Sequence, residues 1–383
     1  MEPVTHLLTG ACLSRTGLNR HAAYTTLAMV VAAELPDIDT LWSLHGPVSG
    51  FEHHRGITHT FVGIPFEAAA VVAAIYILHR WILHRRQQSG SRRLTEAPVR
   101  WGLLYLFALF ALFSHLFLDY TNNYGIRPFF PFDPHWYAAS IVFIFDPLIF
   151  ALLLGALVVP GIFRLVGSEV SSGVGSRRQP FAARGWAIAA LLGIVALWIL
   201  RETQHERAIQ LAMAQSIEAP PFVEKLEAQP APDSPAPAEA PPVYLQAQRV
   251  LASPDPLSPF RWYIVTDFGP LYQLADVDSK QGSIVPSQAI QPKLNPSPQL
   301  LAAEASPLGR AYLDWSPMPF ITIDKDDASV GSARTVVEFA DPRFMGDTLL
   351  LHASGRTPLT GKVELDAKDQ VVGQTLDGRA QSH

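Results

Sequence analysis

The sequence predicts a mainly α chain. A multi-helix transmembrane bundle is expected over residues 1–200, a helical exit and Pro/Ala-rich linker over 201–259, and a small, mostly β extramembrane domain over 260–383. Three observations predict it. Of the 383 residues, 49% are apolar and only 16% charged, whereas an ordinary soluble domain carries about 25% charge. Every lysine lies beyond residue 200. Four long apolar runs crowd into residues 61–200, and short alternating stretches follow only after residue 260. The net charge of −5 gives no basic field, so nucleic acid is not an expected partner. The single cysteine, Cys12, excludes an intramolecular disulfide and any CxxC zinc or redox site. Thirteen histidines leave His/Asp metal chemistry open.

The chain opens on two moderately apolar stretches, 3–17 and 20–35, separated by Arg15, Gly17, Asn19 and Arg20. They read as a helical hairpin that dips into or crosses the bilayer. No basic region precedes the first apolar run, so a cleaved secretory signal is not expected. The runs 61–83, 101–118, 146–163 and 183–200 each approach the roughly 17–25 apolar residues a spanning helix needs. Trp81, Trp101, Trp136, Tyr137 and Trp186 stand near their ends, where aromatic belts lie. Asp146 before Pro147 reads as an N-cap with Pro at the first helical position. Residues 216–259 are rich in Pro and Ala and read as a semi-extended linker. Beyond it, strands are expected at 262–265, 321–323, 335–339, 348–352 and 362–365, and a helix at 298–313.

Arginine placement orients the bundle. Loop 79–100 carries Arg80, Arg85, Arg86, Arg92, Arg93 and Arg100; loop 164–185 carries Arg164, Arg177, Arg178 and Arg184. The intervening segments hold only Arg55 (36–60) and Arg127 (119–145). Short basic loops stay cytoplasmic. Segments 36–60, 119–145 and everything after residue 200 are therefore expected outside, on the periplasmic face of a bacterial inner membrane.

The chemistry gathers at that outer boundary. His6 opens the hairpin and Leu35-Pro36-Asp37-Ile38-Asp39 closes it. Glu52-His53-His54-Arg55-Gly56-Ile57-Thr58-His59 precedes the first long run, and His115 and Asp119 end the second. At spacing i, i+4, His115 and Asp119 face one way on a helix, as a helix-end hydrogen bond or as a metal pair suited to zinc or manganese. Polar groups ending an apolar span are costly and usually functional. Asp37 and Asp39 read either as a polar helix exit or as carboxylates able to bridge two ions. In the His-rich segment Gly56 is expected to supply a sharp turn and Thr58 an N-cap. Asp133 and His135 lie in an outer loop within potential reach.

This ordered set resembles the YdjM-type inner-membrane proteins, a family described as membrane-bound metal-dependent hydrolases. The resemblance rests on the early His6, on LPDID (35–39), on HHRGITHT (53–60) and on SHLFLDYTNNYG (114–125), and it covers about residues 1–165. Thr60 stands where Ser is more usual, and Thr40 where some members carry His. The family is distantly similar to all-helical zinc-dependent phospholipases C and nucleases, which implies a phospholipase C/nuclease-like metal site. On that basis His6, Asp37, His59, His115 and Asp119 are expected to bind a divalent metal, Zn2+ or Mn2+ and as two ions, with Asp39 and His54 as further ligands. Arg55 would clamp a phosphate oxygen, and Glu52 or a metal-free Asp39 would serve as general base. The implied activity is hydrolysis of phosphoesters or lipid-like substrates by metal-activated water at the outer face of the membrane. The expected partners are the lipid bilayer and a small-molecule or lipid substrate, with a protein partner of the C-terminal domain undefined. Two other readings stand beside it: a non-catalytic membrane metal-binding or transport protein, and a scaffold whose β domain binds a partner. A transporter would need polar groups at mid-membrane depth, and the apolar runs are mostly clean, with Glu67 the chief exception near one end of the first.

Overall fold

The computed structural model describes residues 1–89, 98–170, 182–223, 242–325, 334–346 and 357–381. They form two compact units, Met1–Leu200 and Arg201–His383. The expected strand at 348–352, most of the Pro/Ala-rich run, and Arg92, Arg93, Arg177 and Arg178 lie outside the described residues.

The first unit is helical. Helix α1 (Pro3–Arg15) starts where the Glu2 carboxylate accepts from the amides of Val4 and Thr5, at 2.7 and 2.9 Å, with Pro3 in the first turn. Helix α2 (Thr25–Glu34) returns along it. The two touch closely at Gly10, where an added Cβ would stand 2.5 Å from the Met29 carbonyl oxygen. At 13 and 10 residues, these helices are about 20 and 15 Å long, shorter than the roughly 30 Å hydrocarbon core of a bilayer. Helices α3 (Pro47–His53), α4 (Ile64–Ser89), α5 (Trp101–Thr121), α6 (Pro147–Val170) and α7 (Ala182–Met213) follow. The core sets Ala28, Met29, Ala32 and Ala33 of α2 against Leu104, Ala108, Ala111 and Leu112 of α5 and Ile64, Ala68 and Val71 of α4. Alanines at these positions let the backbones approach, so the short α2 is enclosed by longer helices.

Among the described residues, three helices are long and apolar enough to cross a membrane: Ile64–Gln88, Trp101–Thr121 and Arg184–Met213. Of the four expected spans, the one at 146–163 is a shorter apolar stretch, Pro147–Phe163, within α6. Asp146 caps α6, its Oδ1 accepting from the amides of Leu148 and Ile149 at 3.0 and 3.1 Å. Thr58 is not the N-cap of α4, which begins six residues later at Ile64. Thr60 stabilises the turn before it, its hydroxyl accepting from Gly63 N at 2.9 Å.

The second unit carries two antiparallel meanders. One runs β3 (Arg249–Pro254), β4 (Arg261–Asp267), β5 (Leu271–Asp278), β6 (Ser283–Pro292); the other runs β7 (Phe320–Lys325), β8 (Thr335–Ala340), β9 (Gly361–Leu365), β10 (Val371–Leu376), β11 (Arg379–Ala380). Alternation along β4 splits its side chains. Trp262 and Ile264 pack with Ala208 and Ala212 at the end of α7, while Val265 joins Met318, Phe320 and Ala340 on the other face. A separate pair, β1 (Ser216–Glu218) with β2 (Tyr244–Gln246), and strand β3 fall inside the stretch expected to be linker. Pro254 and Ala252 have ladder partners there despite the Pro-rich surroundings. The helix expected at 298–313 is two, α8 (Pro298–Glu304) and α9 (Pro307–Trp315), because Ser306 caps a new start by accepting from Gly309 N at 3.0 Å.

Candidate metal centre

Two short segments and one long helix bring the four ligands together. After α2, residues Leu35–His45 continue as 3-10 turns. With three residues per turn, side chains two positions apart point about 120° away from each other. Asp37 and Asp39 accordingly reach opposite nitrogens of one ring. Asp37 Oδ1 is 3.4 Å from His59 Nε2, and Asp39 Oδ2 is 3.2 Å from His59 Nδ1. His59 itself ends a 3-10 turn, Ile57–His59, and is fully buried. From α5, His115 Nε2 stands 3.1 Å from His59 Nε2 and 3.7 Å from Asp37 Oδ1; Asp119 Oδ2 stands 3.5 Å from His59 Nε2 and 3.6 Å from His115 Nε2.

One ligand atom from each of Asp37, His59, His115 and Asp119 lies within 4.8 Å of the others. The hydrogen-bond pattern says what kind of group they suit. His115 Nδ1 donates to the Ala33 carbonyl at 2.7 Å, and His59 Nδ1 faces the Thr58 hydroxyl at 3.1 Å and Asp39 Oδ2 at 3.2 Å, which keeps its proton on that side. In the neutral rings both Nε2 atoms are then lone pairs facing one another and two carboxylates, four acceptors with no donor among them. Asp119 Oδ2 is buried without a hydrogen-bond partner. Such a cluster calls for a cation. Metal–ligand bonds of about 2.0–2.1 Å at tetrahedral angles place ligand atoms about 3.3–3.5 Å apart, close to the separations above. The residues present therefore fit a divalent ion, as a donor set of two imidazoles and two carboxylates.

The surroundings hold these ligands in place. Asp39 accepts from Arg55 N at 2.7 Å, Thr58 Oγ1 at 3.2 Å and His54 Nδ1 at 3.0 Å. Its oxygens are thus directed at His59 Nδ1 and the 54–58 turn, not at the four-atom cluster. Arg55 Nη2 lies 2.9 Å from Asp119 Oδ1, while Nη1 donates to the Gly125 carbonyl and to Asn122 Oδ1, and the guanidinium covers the Tyr124 ring at 4.7 Å. A guanidinium so engaged is turned inward, toward Asp119 and the 122–125 segment. Asn122 also donates to Asp119 Oδ1 at 3.1 Å, and the amine of Met1 pairs with the same oxygen.

His6 is buried and stacked on His115, ring centroids 3.8 Å apart, with Nε2 3.4 Å from Asp119 Oδ1. Neither of its ring nitrogens has a hydrogen-bond partner. His54 is the partly exposed imidazole of the group, 26% exposed, and its link is to Asp39. Glu52 is exposed on α3, and it is its backbone carbonyl that takes part in a contact, accepting from Arg127. Asp133 forms a local turn with His135 N and the Tyr137 hydroxyl. At the sharp turn it is Arg55, not Gly56, that takes the left-handed conformation, with φ 55°. Gly56 is needed for space, since a Cβ there would lie 2.9 Å from the His53 carbonyl oxygen.

Burial opposes charge on Asp37 and Asp39. Contact with His59, joined by His115 at Asp37 and by His54 at Asp39, nevertheless holds both carboxyls well below the usual range. Burial lowers the Arg55 guanidinium to about 10, which leaves it charged at neutral pH. Burial also lowers His54, against the opposing pull of Asp39.

The sequence reading did not reach Asn122, Tyr124 or the Ala33 carbonyl. Asn122 and Tyr124 stand in the TNNYG run just after Asp119, which was a usable signal; a backbone carbonyl leaves none.

Compared with known proteins, residues 1–208 match the YdjM inner membrane protein family, more than half of the chain. An uncharacterized protein of Bacillus subtilis (strain 168), YfhP, is 27% identical over 169 residues, covering 42% of this chain. The match spans 46% of that relative, about half its length. No solved structure matches the chain.

Proposed function

The chain belongs to the YdjM inner membrane protein family, and from that premise we propose that it is a membrane-bound, metal-dependent hydrolase of phosphoesters or lipid-like substrates. The observation that carries this reading is the four-acceptor cluster of Asp37, His59, His115 and Asp119, which includes the orphaned Asp119 oxygen. These residues would hold a divalent ion, Zn2+ or Mn2+, which would supply Lewis-acid chemistry, making bound water more acidic (to about 7 for zinc) and polarising a phosphoryl oxygen. The chain's own residues set up the rest. Asp39 fixes the His59 ring and the Ala33 carbonyl fixes His115, so each presents Nε2 to the cluster. Arg55 and Asn122 hold Asp119 by Oδ1 and leave Oδ2 to the cluster. His54, tied to Asp39 through Nδ1 and partly open to solvent, is the group available to accept or return a proton. His6, against Asp119 Oδ1, is the residue that would support a second ion.

The arginine distribution supports a multi-pass protein with this site and the β unit on the periplasmic side, facing lipid headgroups. A reporter fused within 90–97 is expected to read cytoplasm, and a periplasmic reading would reverse the map. The activity is tested on detergent-purified protein by metal analysis and by hydrolysis of generic phosphodiesters and phospholipids with and without chelator. Full metal retention by a His115→Ala/Asp119→Ala variant would remove the site. Metal without chelator-sensitive hydrolysis across those substrates would favour the binding or scaffold reading.

A further inference from the structure

Within the first unit, a groove of about 800 Å3 runs between α5 and α7, walled by Phe110, Phe113 and Phe117 on one side and Ile194, Val195 and Trp198 on the other. Its floor is Thr9 and Leu13 of α1. This volume lies within the roughly 300–1,000 Å3 of ligand pockets. Of the four hydroxyl-bearing residues in its lining, Thr9 donates to the Thr5 carbonyl at 2.8 Å, Ser114 to the Ala111 carbonyl at 2.7 Å and Tyr137 to Asp133 at 3.0 Å, and the fourth is Tyr120. The rest of the lining is apolar, so the groove offers its occupant mostly hydrocarbon surface.

Segments that line the groove also carry the metal centre. Phe61, two residues after His59, lines it and packs on Phe113 and Phe129, with centroids 6.1 and 5.4 Å away. Ser114 precedes His115, and Thr9 follows His6 by one helical turn. Helix α5 thus presents His115 and Asp119 to the cluster while its phenylalanines line the groove. Phe110, Phe113 and Phe117 are about half exposed on a helix apolar enough to span a membrane, so the groove opens where acyl chains lie.

We infer that this groove holds the hydrocarbon chain of a phosphate-bearing amphiphile whose head lies at the metal centre. The inference rests on the hydrolase reading above and narrows its substrate to a long-chain phospho-compound that enters sideways from the bilayer. The probe is hexadecyl phosphate carrying a diazirine along the chain, applied to the full-length protein in detergent. Saturable labelling of the peptides around 110–117 and 191–198, competed at least tenfold better by hexadecyl phosphate than by hexadecanol, is expected. Val195→Trp and, independently, Phe110→Trp fill the groove at exposed positions and should each abolish that labelling without changing metal content. Unsaturable labelling spread over all apolar helices, including the Tyr76–Trp81 face of α4, would overturn the inference, as would equal competition by hexadecanol or undiminished labelling in both variants. Hydrolysis is a separate readout: specific labelling with no chelator-sensitive turnover would sink the activity while the groove's ligand stands.

Discussion

Asp39→Asn isolates the difference between holding a metal and holding a ligand. In the structure Asp39 accepts three hydrogen bonds, from Arg55 N (2.7 Å), His54 Nδ1 (3.0 Å) and Thr58 Oγ1 (3.2 Å), and its Oδ2 stands 3.2 Å from His59 Nδ1. Asparagine has nearly the same shape, keeps one acceptor oxygen and turns the other into a donor that faces a donor. If the amide oxygen takes the Oδ2 place, His59 keeps a neutral acceptor and loses a charged one. A hydrogen bond to a charged group contributes about 1.5–3 kcal/mol and a neutral one about 0.5–1.5, so His59 loses roughly 1–1.5 kcal/mol of fixation. That is about a five- to tenfold weaker metal site, at the lower end of the roughly 10–100-fold cost of losing an outer-layer partner. Metal titration of detergent-purified protein against a competing chelator reads it directly. The expected result is unchanged stoichiometry with Kd raised about tenfold. If Asp39→Asn instead loses metal outright, as His115→Ala should, then Asp39 is itself a ligand. If Kd stays within about twofold, it does not orient His59.

Three further outcomes follow from the same geometry. Adding Zn2+ or Mn2+ at about 100 times Kd should stabilise the folded protein by about 2.7 kcal/mol, seen as a rise in Tm that chelator reverses; a Tm indifferent to metal would argue against a site built of the four ligands. Gly10→Leu places a side chain where even a Cβ stands 2.5 Å from the Met29 carbonyl, and overpacking at such a contact costs about 1–3 kcal/mol, so an unchanged Tm would contradict the close α1–α2 contact. Folded-state values for Asp37 and Asp39 lie below the ordinary carboxylate range, so their contribution to stability is fully present above about pH 4. It is lost as pH falls further, through the folded values. In unfolding measurements without metal, Asp39→Asn should therefore flatten the acid limb below about pH 4 and leave the slope between pH 5 and 7 untouched.

Parts of this molecule are written in local sequence and parts are not. The runs that became α4, α5 and α7 needed only composition and length, because a span satisfies its own backbone and asks only for apolar side chains. The i, i+4 pair His115 and Asp119 was legible for the same reason: helical spacing fixes their common direction before any tertiary contact forms. Asp37 and Asp39 look alike in the sequence and differ in the structure. Their separation depends on the 3-10 winding of Leu35–His45, which puts one against Nε2 and the other against Nδ1 of a ring twenty residues away. Arg55 presents the same difficulty. Its inward turn follows from its own positive φ and from Asp119, Asn122 and Gly125, which approach only when α5 is in place. In the second unit the strands with clear alternation, β4, β7, β8 and β9, were readable, whereas β10 is rich in polar and glycine residues and draws its partners from the sheet.

The site also explains why irregular backbone sits beside helices long and apolar enough to cross a membrane. Residues 35–62 carry 3-10 turns and a left-handed arginine, and lipid cannot satisfy the groups such a chain leaves open. Here they are satisfied from within: Asp39 takes the Arg55 amide, the Phe61 amide donates to the Pro128 carbonyl, and the Thr60 carbonyl accepts from Gly63 and Ile64. The same carboxylate that closes the turn also orients His59, so backbone satisfaction and ligand placement are one interaction. A change that loosens the turn must then loosen the cluster, and the cluster cannot be tuned through Asp39 without strain on the turn. The ring nitrogens left facing Asp37 and Asp119 are what remains after every other polar atom of His59 and His115 has been assigned. That remainder is four lone-pair atoms in one small volume, a cost that folding accepts only where a cation returns it.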